Sequence, residues 1–153
     1  DMHPKLLRIA QQTLAAYLGR IASKLCVTLF NPPYFFSPPI DLFWSFGVLH
    51  HTPDIGKILQ RACTLLTPIG ECRITLYSDE RWKQMMKEDT PKEATYLNPR
   101  FQEFVRKCDA VGNYADWYDR AKVEEIVKDF AEVTECHYLC DDQMLGVVIK
   151  PKM

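Results

Sequence analysis

Residues 41–78 read DLFWSFGVLHHTPDIGKILQRACTLLTPIGECRITLYS, and this stretch decides the fold. Asp41 to Phe46 is short, apolar and aromatic, the composition of a strand covered on both faces. Gly47 opens a loop. Thr52 is a good N-cap, Pro53 suits the first helical position, and Asp54 would face the positive end of the helix dipole. Ile55, Ile58, Leu59, Ala62, Leu65 and Leu66 then recur at helical spacing and form one apolar stripe. Thr67-Pro68-Ile69-Gly70 is expected to end the helix and turn the chain. Arg73 to Tyr77 has the composition of a second strand. Two strands joined through one helix by short loops form a parallel, right-handed crossover. Ligands of such sheets bind beyond the carboxyl ends of the strands. Here that end carries Phe46-Gly47-Val48-Leu49-His50-His51.

The rest of the chain sets the frame around this unit. Its 153 residues suit one domain, and 47% hydrophobic with 25% charged residues is the balance of a globular protein. A formal charge of −1 argues against a polyanion-binding surface, although a neutral total can hide a local patch, and no nucleic-acid partner is expected. No apolar run is long enough to span a bilayer, and the first residues lack the layout of a signal peptide, so no membrane partner is expected. The six cysteines, Cys26, Cys63, Cys72, Cys108, Cys136 and Cys140, are scattered through predicted elements. Free buried thiols in a reducing, cytoplasmic setting are the expectation.

Upstream, Leu6, Leu7, Ile9, Ala10, Leu14, Tyr17, Leu18 and Ile21 fall largely on one helical face, and Leu25 to Phe30 reads as a buried strand. Asn31-Pro32-Pro33-Tyr34 starts a proline-rich stretch expected to be an extended loop. Downstream, residues 80–87 put Trp82, Met85 and Met86 on one side of a helix. Phe101, Phe104, Val105 and Cys108 suggest a second short helix. Residues 111–118 form a loop rich in aromatic and turn residues. Asp119 is a fair N-cap for a helix from Arg120 to Phe130 with Val123, Ile126, Val127 and Phe130 inward. Glu132 to Leu139 and Met144 to Ile149 read as a hairpin turning at Cys140-Asp141-Asp142-Gln143. Cys136, His137 and Cys140 do not converge, because strand alternation puts His137 on the opposite face, so no metal site is expected.

The segment SFGVLHHTPD followed by LxxxxxLLTPxGExRITLYS resembles the fourth strand, following helix and fifth strand of class I S-adenosylmethionine-dependent methyltransferases. The family usually has Pro-Gly-Gly where this chain has Pro68-Ile69-Gly70. The resemblance implies an α/β, Rossmann-like fold with a mostly parallel sheet, helices on both faces and a closing antiparallel hairpin. It also implies a single methyltransferase-like domain over 1–153, with a substrate-region insertion at about 79–118. Under this alignment the family's first strand and glycine-rich loop would precede Asp1, leaving the fold incomplete at its N-terminus. The six glycines are isolated, and no Gly-x-Gly occurs. Sheet edges left open would need a cover, for which a second copy of the chain is one candidate.

The implied cofactor is S-adenosylmethionine and the implied partner a small-molecule methyl acceptor. Asp1-Met2-His3-Pro4 matches the acidic strand end that accepts hydrogen bonds from the cofactor ribose, which gives Asp1 and Met2 a cofactor role; a plain helix-capping role for Asp1 stands beside it. Asn31 falls near the cofactor's adenine amino group. The Phe46-Gly47 backbone falls near its methionine end. Asn-Pro-Pro-Tyr is also a signature of methyltransferases acting on amino groups, but there it follows the fourth strand, which here begins ten residues later. His50 and His51 are the candidate catalytic pair: one imidazole at the sheet's carboxyl edge can act as general base or bind substrate, or the pair can pack against the helix start. Trp82, Tyr114, Trp117 and Tyr118 are candidates to wall a substrate pocket, or to anchor their loops to the core. Two functions follow: a methyltransferase working by in-line displacement, or a non-catalytic binding or assembly module that keeps the fold without the glycine loop.

Overall fold

The computed structural model describes residues 39–91, 97–108 and 114–152. The expectations for Asp1, Met2, Asn31, the upstream helix and the strand at residues 25–30 lie outside the described residues. Within them the chain runs β1 (Ile40–Phe46), α1 (Ile55–Cys63), β2 (Leu66–Tyr77), α2 (Asp79–Met86), α3 (Phe101–Cys108), α4 (Arg120–Val127), β3 (Ala131–Leu139) and β4 (Met144–Pro151). A single turn of 3-10 helix at Leu49–His51 follows β1. No helix among the described residues is long and apolar enough to cross a membrane.

The four strands form one sheet in the order β1-β2-β4-β3. β1 and β2 run parallel, with Phe43 opposite Cys72 and Phe46 opposite Thr75. β2 with β4 and β4 with β3 are antiparallel. The α/β class is as expected. The mostly parallel character is not carried by the described strands, which hold one parallel and two antiparallel pairings. The β3–β4 turn falls at Cys140–Gln143 as the sequence indicates. It holds Cys140, Asp141 and Asp142 at φ of 54°, 53° and 63°.

One sheet face carries the core. Phe43, Cys72, Ile74, Leu76, Leu145, Val147 and Ile149 alternate inward along neighbouring strands and are buried. α1 packs on β2, α4 packs on β3, and the two helices meet. Gly56 lies at that meeting, where a Cβ would sit in ordinary contact with Ile126 Cγ2 at 3.4 Å. Ile55, Leu59, Ala62 and Cys63, three to four residues apart, form the buried stripe of α1. Leu42, Trp44 and Phe46 point to the other face of β1 and stay exposed. The expected cover on both faces of β1 is therefore seen on one face only among the described residues.

Several local boundaries differ from the pattern reading. The helix expected from Arg120 to Phe130 ends at Val127, and the chain turns over the next three residues into β3. Thr52 is extended at φ −116°, ψ 125°, and closes the 3-10 turn. Asp54 is the cap instead, accepting a hydrogen bond from the Lys57 amide. Asp and Thr both cap well, and the extra turn at Leu49–His51 consumes the chain that would have begun the helix earlier. The helix also ends at Cys63, and Leu66 to Gly70 joins β2 rather than turning the chain. Ile40 pairs with Leu66 and Leu42 with Glu71, so β2 bulges between those registers. The bulge absorbs Pro68, which cannot donate to a ladder. Ile69 is not among the residues of positive φ. Gly70 is needed for space: a Cβ would meet the Ile40 carbonyl at 3.0 Å and Leu66 at 3.1 Å.

Residues 79–118 build a cluster of their own. α2 packs against α3, and Trp82, Met86, Phe101, Phe104, Val105, Ala115 and Trp117 are buried together. Ser78 caps α2 by accepting from the Arg81 amide, and its hydroxyl donates to the Asp142 carbonyl in the β3–β4 turn. That one side chain ties the helix start to the hairpin.

Candidate functional site

The carboxyl ends of the parallel strands β1 and β2 lie side by side, and the site candidates gather there. Phe46 ends β1 and is exposed. Gly47 follows at φ +66°, a conformation that suits glycine, with open space where a Cβ would project. Its amide donates to Thr75 Oγ1 on β2 at 2.8 Å, which closes the two strand ends together. The 3-10 turn then brings His50 and His51 back over Tyr77, the last residue of β2.

The two histidines have different surroundings. His50 is 1% exposed, and its ring stacks on Tyr77 with centroids 3.6 Å apart and planes 23° apart. Neither of its ring nitrogens has a hydrogen-bond partner among the described residues. Burial, then the neighbouring His51, then Arg81 push its pKa down to about 3, so it is neutral at ordinary pH. Its main-chain carbonyl accepts from the Asp116 amide at 2.9 Å. His51 is half-buried, with its ring edge-on to Tyr77 at 5.5 Å and its Nδ1 2.8 Å from the Tyr114 carbonyl. Arg81, in the first turn of α2, places its guanidinium 4.1 Å from the Tyr77 ring centre and donates to Gln143 Oε1 at 2.8 Å.

The aromatic candidates divide by burial. Tyr114 is half-buried and lends its carbonyl to His51. Trp82, Trp117 and Tyr118 are buried at 0%, 6% and 2% exposure, so their rings serve as packing in this conformation. Trp117 and Tyr118 stack under the Lys122 ammonium, at 4.2 Å and 4.7 Å. Lys122 in turn pairs with Asp116 at 2.9 Å. Burial raises the Asp116 pKa and lowers that of Lys122, while their mutual attraction opposes both changes. Asp116 also accepts from the Trp117 amide at 2.8 Å. This inner polar knot fixes residues 114–118 against the strand ends.

Of the sequence candidates, the structure brings together Gly47, His50, His51 and Tyr114. Pattern reading missed Tyr77, Arg81, Asp116 and Lys122. Tyr77 had a visible signal, since it ends a parallel strand at the edge where ligands bind. Arg81 had none, because its place over Tyr77 depends on how α2 leaves the sheet. Among the described residues, no group of His, Cys, Asp and Glu could hold a metal ion.

No protein-family model matches the sequence, and no curated protein matches it. Solved structures do. The chain is similar to the mitomycin 7-O-methyltransferase MmcR at a TM-score of 0.57 and 15% identity, covering 98% of this chain and 40% of that one. The N-methyltransferase NodS from Bradyrhizobium japonicum WM9, in complex with S-adenosyl-L-homocysteine, matches at 0.54 and 13% identity, covering 100% and 65%. A chain in the complex of the Haloferax volcanii Trm112 methyltransferase activator with a methyltransferase matches at 0.54 and 15% identity, covering 82% and 59%. The chain thus spans less than two thirds of the length of each of these neighbours. Its fold is the class I methyltransferase-like α/β fold, spanned in part.

Proposed function

We propose that this chain carries out, within the protein it forms, S-adenosylmethionine-dependent methyl transfer to a small-molecule acceptor. The observation that carries the reading is the junction of β1 and β2. Two parallel strands end together at a glycine of positive φ, and a histidine pair folds back over the second strand's last residue. A cleft at the carboxyl ends of parallel strands is where such sheets take ligands. The fold likeness, including a neighbour solved with S-adenosyl-L-homocysteine, supports a sulfonium donor as that ligand.

In this reading the Phe46-Gly47 turn lies along the methionine end of the donor, because open space beside the Gly47 Cα admits a close approach. Asp1 and Met2 would hold the ribose, and Asn31 the adenine edge. Tyr114 and the residues around α2 would face the acceptor. The buried Trp82, Trp117 and Tyr118 support that wall from behind. The chemistry asks for alignment above all: an acceptor atom in line with the S–CH₃ bond, held close, with water kept out.

Isothermal titration of the 153-residue chain with S-adenosyl-L-homocysteine tests the reading. Binding should be accompanied by a rise in thermal stability, about 2.7 kcal/mol at a hundredfold excess over Kd. No heat and no stabilisation at millimolar ligand would reject it.

A further inference from the structure

Arg81 holds a charge that its neighbours use only in part. Tyr77 gathers His50 at 3.6 Å, His51 at 5.5 Å and the Arg81 guanidinium at 4.1 Å around its ring. A guanidinium carries its N–H donors in a planar fork. Here Nη1 donates to the neutral Gln143 Oε1. Nε is buried without a partner among the described residues, and Nη2 has none there either. No carboxylate among the described residues pairs with the group. The acids beside it on α2 are taken: Glu80 pairs with Lys83, and Asp79 faces Lys83 and accepts from the Tyr138 hydroxyl at 2.7 Å. Asp116 is held by Lys122. The contact with Tyr77 and the bond to Gln143 tie α2 to the β3–β4 turn, which is a structural role. They leave two donors on one edge of a half-buried cation without acceptors, and unmet donors of a charged group are costly.

We propose that Arg81 is an anion subsite of this cleft, and that the methyl acceptor carries a carboxylate which it reads. This rests on the methyl-transfer reading above. Nε and Nη2 lie on one edge of the planar cation, at a spacing that matches the two oxygens of a carboxylate. Nη2 makes the first contact. Nε is covered, so its bond forms as the guanidinium slides across the Tyr77 face to meet the ligand. One guanidinium supplies one positive charge, which suits a monoanion. A phosphate monoester would ask for a second cation, and Lys83 and Lys122 are both committed to carboxylates. The methyl donor has a carboxylate of its own at its methionine end. In the reading above that end lies along the Phe46-Gly47 turn after β1, whereas Arg81 stands on α2, beyond the end of β2. A carboxylate held there fixes one end of the acceptor and so limits where its reacting atom can lie.

Acetate and benzoate serve as probes on the full chain, with and without saturating S-adenosyl-L-homocysteine, and benzamide and inorganic phosphate serve as controls. In nitrogen-15 NMR the Arg81 Nε–H resonance, assigned by its loss in Arg81→Lys, should move on titration with either carboxylate and stay in place with benzamide. That readout is taken on the wild type, so it stands even if a variant unfolds. Arg81→Met should weaken both carboxylates about tenfold or more, and leave the calorimetric affinity for S-adenosyl-L-homocysteine unchanged. No movement with either carboxylate, equal movement with benzamide, or tighter binding of phosphate would overturn the assignment. Competition between the carboxylates and S-adenosyl-L-homocysteine, or weaker binding of that compound by Arg81→Met, would give Arg81 to the donor's own carboxylate and overturn it as well. Failure of the wild type to bind S-adenosyl-L-homocysteine would instead remove the underlying reading, and the acceptor assignment with it.

Discussion

Acid should loosen this fold through one residue, His50. Its imidazole has an ordinary value of 6.5 in the unfolded chain and about 3 in the folded one, chiefly because the ring is buried on Tyr77 with no partner for a proton. Above pH 6.5 the ring is neutral in both states and has no effect. Below it the unfolded chain takes up a proton that the native state refuses, so stability falls as pH drops and the fall ends near the folded value. Each pH unit in that window costs about 1.4 kcal/mol. Going from pH ~7 to pH ~5 therefore costs about 2 kcal/mol, a large share of the ~5–15 kcal/mol that a domain has. His50→Phe keeps a planar ring over Tyr77, loses no hydrogen bond of the described structure, and removes the titration. Urea unfolding of both proteins at the two pH values isolates the effect. Asp116 and Lys122 titrate abnormally too, and with Asp116 raised by burial its acid effect has the opposite sign; both are common to the two proteins and cancel in the difference. The wild type should lose about 2 kcal/mol more than the variant on acidification. Equal losses would show that His50 is protonated in the native state and that its burial has been misjudged.

Two further perturbations probe the supports of the site. Lys122→Met takes the ammonium away from the buried Asp116 carboxylate, which keeps the hydrogen bond from the Trp117 amide, and should cost about 3 kcal/mol in chemical denaturation, with much of that recovered in the double variant carrying Asp116→Asn. Gly70→Ala drives a methyl against the Ile40 carbonyl and Leu66 where β2 bulges past β1, and should lower stability by about 1–3 kcal/mol in the same assay, whereas Ala at the neighbouring exposed Ile69 should change it by less than about 0.5 kcal/mol.

Much of this was legible in residues 41–78 alone. Apolar alternation and helical spacing are local properties, so β1, α1, the second half of β2 and their parallel crossover follow from the order of residues. So does the placement of His50 and His51 at the strand ends, because a loop leaving a parallel strand must emerge at its carboxyl edge. The Asp119 cap and the β3–β4 hairpin are equally local. Boundaries were not fixed this way. Thr52 and Asp54 both satisfy the rules for a cap, and only the 3-10 turn above them chose between the two. Leu66 to Gly70 reads as a turn by composition, yet pairing with Ile40 draws it into the strand.

What the tertiary structure alone decided is the division of labour within the site. Nothing in the dipeptide His50-His51 distinguishes its members. The difference comes from Tyr77, twenty-seven residues beyond His50, which seals that ring, and from the Tyr114 carbonyl, sixty-three residues beyond His51, which orients the other. Likewise Trp82, Trp117 and Tyr118 read as pocket walls or as anchors with equal ease, until α2 and α3 closed over the first two and Lys122 over the last two. Burial and tautomer are set by contacts made across the chain, and such contacts leave no trace in local spacing. A strand announces itself through its own residues; the protonation state of a histidine is written by its neighbours in space.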